Sequence, residues 1–225
     1  MNNLIVKSMA GLIFLDLVLG LALFLPAGSL AFWQAWLFLL VWTVCVLLIT
    51  VYLMKYDQKL LASRTQAGPV AETQKVQQVI QGFASLFFIG IFIVAGFNFR
   101  FHWAVVPSPL SWIANAFVVL GFFIVFLTFK ENSFTSATIE VADEQKVVTS
   151  GPYKVVRHPM YAGAILLLIF TPIALGSWVA LPFPLPLIVV VAIRAVEEEK
   201  FLRISLPGYA DYCQKVRYRL VPYVW

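Results

Sequence analysis

Long uncharged apolar runs limit this chain more than any other feature, because about 20 such residues at helical rise match the roughly 30 Å hydrocarbon core of a bilayer. Four runs stand out: Ser8 to Leu25, closed by Pro26; Leu30 to Leu53; Val79 to Phe99; and Leu110 to Phe129. Each predicts a spanning helix, since lipid tolerates only backbones that satisfy their own hydrogen bonds. The first run is too long for a signal-peptide core and lacks a small-residue cleavage pattern after it, so it reads as a retained span. Gly82, Gly90 and Gly96 thin the surface of the third run, as at a close helix contact. A polar stretch, Met54 to Gln78, separates the second run from the third.

A further apolar stretch, Tyr161 to Ile193, has 33 residues, too many for one crossing and few for two. Thr171-Pro172, Gly176-Ser177 and the prolines at 182, 184 and 186 interrupt it, which predicts a tight hairpin with two short arms. Basic side chains collect on the cytoplasmic face of membrane proteins. With the N-terminus inside and a hairpin near the end, every one of the 16 lysines and arginines except Arg100 falls on that face. A single last crossing would separate Arg157 from Arg194. The expected fold is therefore all-α: a polytopic membrane helix bundle of four spanning helices, a C-terminal helical hairpin and an amphipathic cytoplasmic helix. That last helix is read from Tyr209, Tyr212 and Val216, which recur at helical spacing. The chain reads as a single membrane domain, residues 1–225, with spanning helices up to 129 and the chemistry from 130 onward. Both termini are expected in the cytoplasm, of a bacterial inner membrane or the endoplasmic reticulum.

Composition excludes other classes. Hydrophobic residues make up 61% and charged ones 12%, far from a soluble domain. The net charge of +5 follows from the basic bias and suits anionic lipid, so no nucleic-acid partner is implied. Two cysteines, Cys45 and Cys213, make no disulfide framework. No Gly-x-Gly-x-x-Gly follows a strand, which excludes the common dinucleotide-binding sheet. No metal site is expected.

Two polar clusters flank the hairpin. One runs from Gln145 through Gly151-Pro152-Tyr153 and Arg157-His158-Pro159-Met160-Tyr161 to Gly163; the other is Arg194-Ala-Val-Glu197-Glu198-Glu199. A returning hairpin sets them at one depth. Arg194 and Glu198, four apart, share a helix face where they pair or jointly meet a ligand. Taken singly, each residue has a plainer role. Arg157 is a positive-inside anchor, Tyr153 and Tyr161 are interfacial aromatics, His158 before Pro159 marks a turn, and Glu197 to Glu199 form a solvated face. Asp16, mid-span in the first run, is either functional or a helix-packing residue.

In order and spacing, Gly-Pro-Tyr153, Arg157-His-Pro-x-Tyr161-x-Gly163, a hairpin, Arg194-x-x-x-Glu198 and Pro207-Gly-Tyr209-x-x-Tyr212 resemble the isoprenylcysteine carboxyl methyltransferase and phospholipid methyltransferase superfamily, over about residues 130 to 222. The resemblance implies an S-adenosylmethionine-dependent methyltransferase at the cytoplasmic membrane face. It implies a cofactor pocket of Gln145, Lys146, Val147, Val148, Tyr153, His158, Pro159, Met160, Tyr161 and Glu198, and catalytic roles for Arg194, facing the acceptor, and Arg157. This sequence departs from the family at Gln145, often histidine there, and at Gly176-Ser177, where the carboxyl methyltransferases usually show Asn-Pro. The implied partner is a lipid-borne or hydrophobic methyl acceptor. Carboxylate O-methylation is favoured, with phospholipid N-methylation and thiol S-methylation open. Two other readings stay open. An NADPH-dependent lipid or sterol reductase shares the His-Pro-x-Tyr-x-Gly block, though Glu197 to Glu199 would oppose the cofactor's extra phosphate. A small transporter or membrane interaction protein has only Asp16 in its favour.

Overall fold

The computed structural model describes residues 2–65, 75–135 and 145–225. Along them run α1 (Asn2–Ala27), α2 (Trp33–Tyr56), α3 (Gln58–Thr65), α4 (Lys75–Phe101), α5 (Ser108–Glu131), a 3-10 turn (Gly151–Lys154), α6 (Pro159–Ala174), α7 (Pro184–Ser205) and α8 (Tyr209–Lys215). Four of these contain segments long and apolar enough to cross a bilayer: Leu4–Ala27, Trp33–Tyr56, Gly82–Phe101 and Ser108–Glu131. The expected all-α membrane bundle is the observed one. Its outward faces are apolar, with Phe14, Leu25, Leu40 and Leu48 exposed, as befits helices whose solvent is lipid.

The first arm of the hairpin, α6, is clamped along its length by α5. Ser111 Oγ donates to the Ile173 carbonyl at 3.2 Å, and Phe117 stacks on Phe170 with ring centroids 4.2 Å apart. Gly121 and Gly163 let the two backbones touch: a Cβ on Gly163 would lie 2.8 Å from the Gly121 carbonyl oxygen. The turn is pinned at the far end. The Val106 N–H donates to the Gly176 carbonyl, the Trp178 N–H donates to the Ala104 carbonyl, and buried Asn98 accepts from the Ala104 N–H. Gly176 there has φ of 76°, a left-handed backbone that favours glycine.

Several expectations are corrected. Thr171-Pro172 does not break α6, which runs on through Ile173 and Ala174; the turn falls at 175–183. The proline at 184 opens α7 and that at 186 lies in its first turn, where backbone N–H groups lack helical partners anyway. The arms are unequal, 16 residues against 22, so α7 outruns α6 by about 9 Å. Part of the polar stretch after α2 is helical: Asp57 Oδ1 accepts the Leu60 N–H, capping α3, and Leu60 and Leu61 bury against Leu53. Residues 66–74 of that stretch lie outside the described residues. Of the three glycines in the third run, Gly96 meets the α1 backbone at Leu23 and Gly90 meets the Phe183 ring, while nothing lies within 4 Å of a Cβ on Gly82. Asp16 serves the α1–α2 contact, its Oδ2 accepting from Thr43 Oγ1 at 3.1 Å.

The Gly121–Gly163 contact predicts that Gly163→Val destabilises the bundle by about 1–3 kcal/mol through overpacking. A thermal melt in detergent checks this, with Gly82→Ala as a control that leaves the midpoint unchanged or slightly raised. Equal losses for the two variants would refute the close crossing.

Candidate functional site

The hairpin brings the residues before α6 beside the far end of α7, and a buried carboxylate joins them. Glu199, 2% exposed, accepts from Arg157 Nε at Oε1 (2.7 Å) and from Arg157 Nη2 at Oε2 (3.2 Å). Arg219 Nε donates to Oε2 at 3.1 Å. His158 Nε2 lies 3.2 Å from Oε1, and because an ionised carboxylate only accepts, that nitrogen carries the proton. Burial raises the Glu199 carboxyl, but the hydrogen bonds from His158 and Arg157 and the charge of Arg157 outweigh it and bring the pKa to about 2. Arg157 Nη1 also donates to the Val216 and Arg217 carbonyls. The Arg157 and His158 N–H groups donate to the Tyr218 and Arg219 carbonyls, both at 2.9 Å.

Sequence reading placed Glu199 in a solvated run; it is the centre of the clamp. Glu197 alone of the three fits that description, pairing with Lys200 at the surface. The missed signal was helical phase, since consecutive residues turn about 100° and three cannot share one face.

A second layer sits beside the clamp. Tyr161 Oη donates to Glu198 Oε2 at 2.6 Å and accepts from Arg194 Nε at 3.1 Å. Arg194 and Glu198 do share a face, and the tyrosine bridges them. The His158 ring stacks on Tyr161, centroids 5.5 Å apart and planes 14° from parallel.

These groups border one pocket, together with Gln145, Lys146, Val147, Val148, Tyr153, Arg157, Pro159 and Met160, so the cofactor and catalytic residues implied by the resemblance converge, while Asp16 lies elsewhere. Asn132, Phe134 and Thr135 beyond α5, Leu202 of α7 and Leu206 just after it border the pocket too and had no sequence signal of their own. Tyr209 and Tyr212 close it from α8, packing with Tyr153 and Val148. Asn132 Nδ2 donates to Tyr153 Oη, and Tyr212 Oη donates to the Tyr153 carbonyl. Burial pushes the Tyr153 phenol up to about 12, so it stays a neutral hydrogen-bonding group. The cavity volume is about 80 Å³. Ligand pockets run to roughly 300–1,000 Å³, so the cavity in this closed arrangement is smaller than a nucleotide site. Arg157 borders the pocket too, but its guanidinium is spent on Glu199 and two carbonyls.

Residues 109–205 match the phospholipid methyltransferase family. The fold is similar to that of a eukaryotic intramembrane Ras methyltransferase, isoprenylcysteine carboxyl methyltransferase, with a TM-score of 0.55 and 22% identity over 94% of this chain and 74% of that one. Over residues 109–205 the chain is similar to the phospholipid methyltransferases, and its fold is similar to that of a membrane methyltransferase. The resemblance seen in the sequence therefore holds. The chain is also 30% identical to the delta(14)-sterol reductase of Mus musculus over 91 residues, 39% of this chain and 22% of the reductase. The chain thus spans about a fifth of that reductase's length.

Because the Glu199 carboxyl is depressed, its contribution to stability is complete above the ordinary value of 4.5 and is lost as pH falls from there through about 2. Limited proteolysis should find the segment after Leu206 equally resistant at pH 7 and pH 5 and progressively weaker below about pH 4. Glu199→Ala, which leaves Arg157 buried without its partner, should cost about 3–5 kcal/mol and make that segment labile at every pH. A Glu199→Ala protein with the native protease pattern would show that the clamp holds nothing.

Proposed function

We propose that this chain is an S-adenosylmethionine-dependent methyltransferase working at the cytoplasmic membrane face on a lipid-borne or hydrophobic acceptor, with carboxylate O-methylation favoured. The observation that carries the reading is the Arg194–Tyr161–Glu198 bridge, set against His158 in a pocket at the polar end of an apolar bundle. The cofactor supplies a methyl group on a sulfonium, an electrophile that needs no acid to leave. Glu198 suits its ribose hydroxyls or ammonium group, and the stretch from Gln145 to Val148 offers backbone partners for the rest. The ring faces of Tyr153 and Tyr161 attract positive charge, by about 0.5–2 kcal/mol each. Arg194 holds an acidic acceptor. Arg157 acts one step back, positioning His158 through Glu199.

A carboxylate acceptor is already a nucleophile, so holding it in line supplies much of the rate, up to roughly 7–11 kcal/mol in the best intramolecular cases. An amine acceptor needs a base. His158 Nε2 is committed to Glu199, which disfavours it for that task and so disfavours phospholipid N-methylation. The match to a sterol reductase supports a second reading, an NADPH-dependent reductase. The acidic Glu198 beside the pocket argues against a cofactor with an added phosphate.

Binding of radiolabelled S-adenosylmethionine to the purified protein, with NADPH in parallel, tests the choice. The methyl donor should bind and NADPH should not. Glu198→Ala and His158→Ala should each weaken donor binding by roughly tenfold or more, the value of a hydrogen bond to a charged group. Unchanged affinity in both folded variants would remove the proposed pocket.

A further inference from the structure

A second hollow lies behind the clamp. It runs between the 3-10 turn and the segment that follows α8, has a volume of about 320 Å³, and is bordered by Lys154, Val155, Lys215, Arg217, Tyr218 and Tyr223 among others. None of the residues around it borders the pocket described above. The clamp holds its two walls together. The Arg157 N–H donates to the Tyr218 carbonyl, and Arg157 Nη1 donates to the carbonyls of Val216 and Arg217. Side chains far apart along the chain are thereby brought to one groove.

Every charged side chain on this groove is a cation. Lys154, Lys215 and Arg217 border it, and among the described residues no aspartate or glutamate does. All three are exposed, and within the described residues none of them makes an ion pair. Arg219 shows the contrast, since its side chain is spent on Glu199. Like charges gathered from two distant segments repel one another and draw an anion to the space between them.

The rim of the groove indicates which anion. Val155 is exposed on it, and Val221 and Val224 are exposed on either side of Pro222 and Tyr223. The Tyr223 side chain, on a residue 88% exposed, projects from a left-handed backbone with φ of 65°, uncommon for a bulky residue. Tyr218 packs against its ring, centroids 5.3 Å apart. Cations set among exposed valines and tyrosines match the boundary between lipid head groups and acyl chains, where charged tips meet phosphate and apolar ones meet the first methylenes. A soluble acidic partner would leave those apolar tips in water. We propose that this groove holds the phosphate head group of an anionic phospholipid from the adjoining leaflet, a bound lipid distinct from the methyl acceptor. Its volume falls within the roughly 300–1,000 Å³ of ligand sites. The assignment does not depend on the methyltransferase reading.

The test is binding of tail-labelled phosphatidylglycerol and phosphatidylcholine to the full-length protein in a nonionic detergent. At about fivefold for each basic residue near an anionic surface, the wild type should prefer phosphatidylglycerol by roughly tenfold or more. Arg217→Gln alone should cut that preference about fivefold. Lys154→Gln, Lys215→Gln and Arg217→Gln together should abolish it, with phosphatidylcholine affinity and melting midpoint unchanged. Lys7→Gln, Lys55→Gln and Lys59→Gln together remove as many exposed cations outside the groove and should leave the preference intact. Equal losses in the two triple variants would reduce the attraction to a general basic bias and overturn the proposal. So would a preference that survives in the groove variants, or its absence from the wild type. Displacement of the labelled lipid by an equal concentration of glycerol 3-phosphate would assign the groove to a soluble anion and overturn it as well. A wild type that binds no S-adenosylmethionine yet prefers phosphatidylglycerol through the groove would end the methyltransferase reading and leave the lipid site standing.

Discussion

Everything at the polar end of this bundle depends on one ionised carboxylate held out of water. Glu199 receives Arg157, His158 and Arg219, which come from the approach to α6 and from the segment after α8. A carboxylate buried that deeply is tolerable only with its lone pairs satisfied, and here two arginines and a histidine do so. The bond to His158 fixes that ring, and the ring's stacking on Tyr161 sets the phenol between Arg194 and Glu198. Pocket geometry is thus inherited from a group that need not touch any ligand.

The hairpin is what makes the clamp possible. Arg157 and Glu199 meet only because α6 and α7 return the chain to one end, and that return is fixed by the glycine crossing on α5 and by Asn98 gripping the turn. The front half of the chain is therefore more than an anchor. It supplies the rigid wall against which a short helix and a long one can be held.

Periodicity and charge placement made the spans and the hairpin legible, and a hairpin forces its flanking residues together, so the pocket lining could be read as well. What escaped were matters of phase and of distant contact. Glu197, Glu198 and Glu199 look alike in sequence, yet successive helical rotations send one to solvent, one to the pocket and one to the clamp. Arg64 reads as a positive-inside residue because nothing local distinguishes it; only its approach to Met160, far along the chain, does so. Pro172 misled for the opposite reason. Proline costs a helix the bond to the carbonyl four residues back, yet α6 tolerates that one loss and ends only two residues later.

The shared stretch with a sterol reductase follows from the same division of labour. A clamp and hairpin that only position side chains are indifferent to whether a methyl group or a hydride is moved, so the frame can recur where the chemistry differs. What distinguishes one use from another is the charge facing the pocket. Here Glu198 offers an acceptor to hydroxyl or ammonium groups, while Arg194 stands on the other side of Tyr161, donating to its hydroxyl. Charges of opposite sign thus face a single cavity from the two sides of one phenol. A sulfonium donor and an acidic acceptor are one such pair of opposite charge, and their reaction needs little from the protein beyond holding them apart from water and in line.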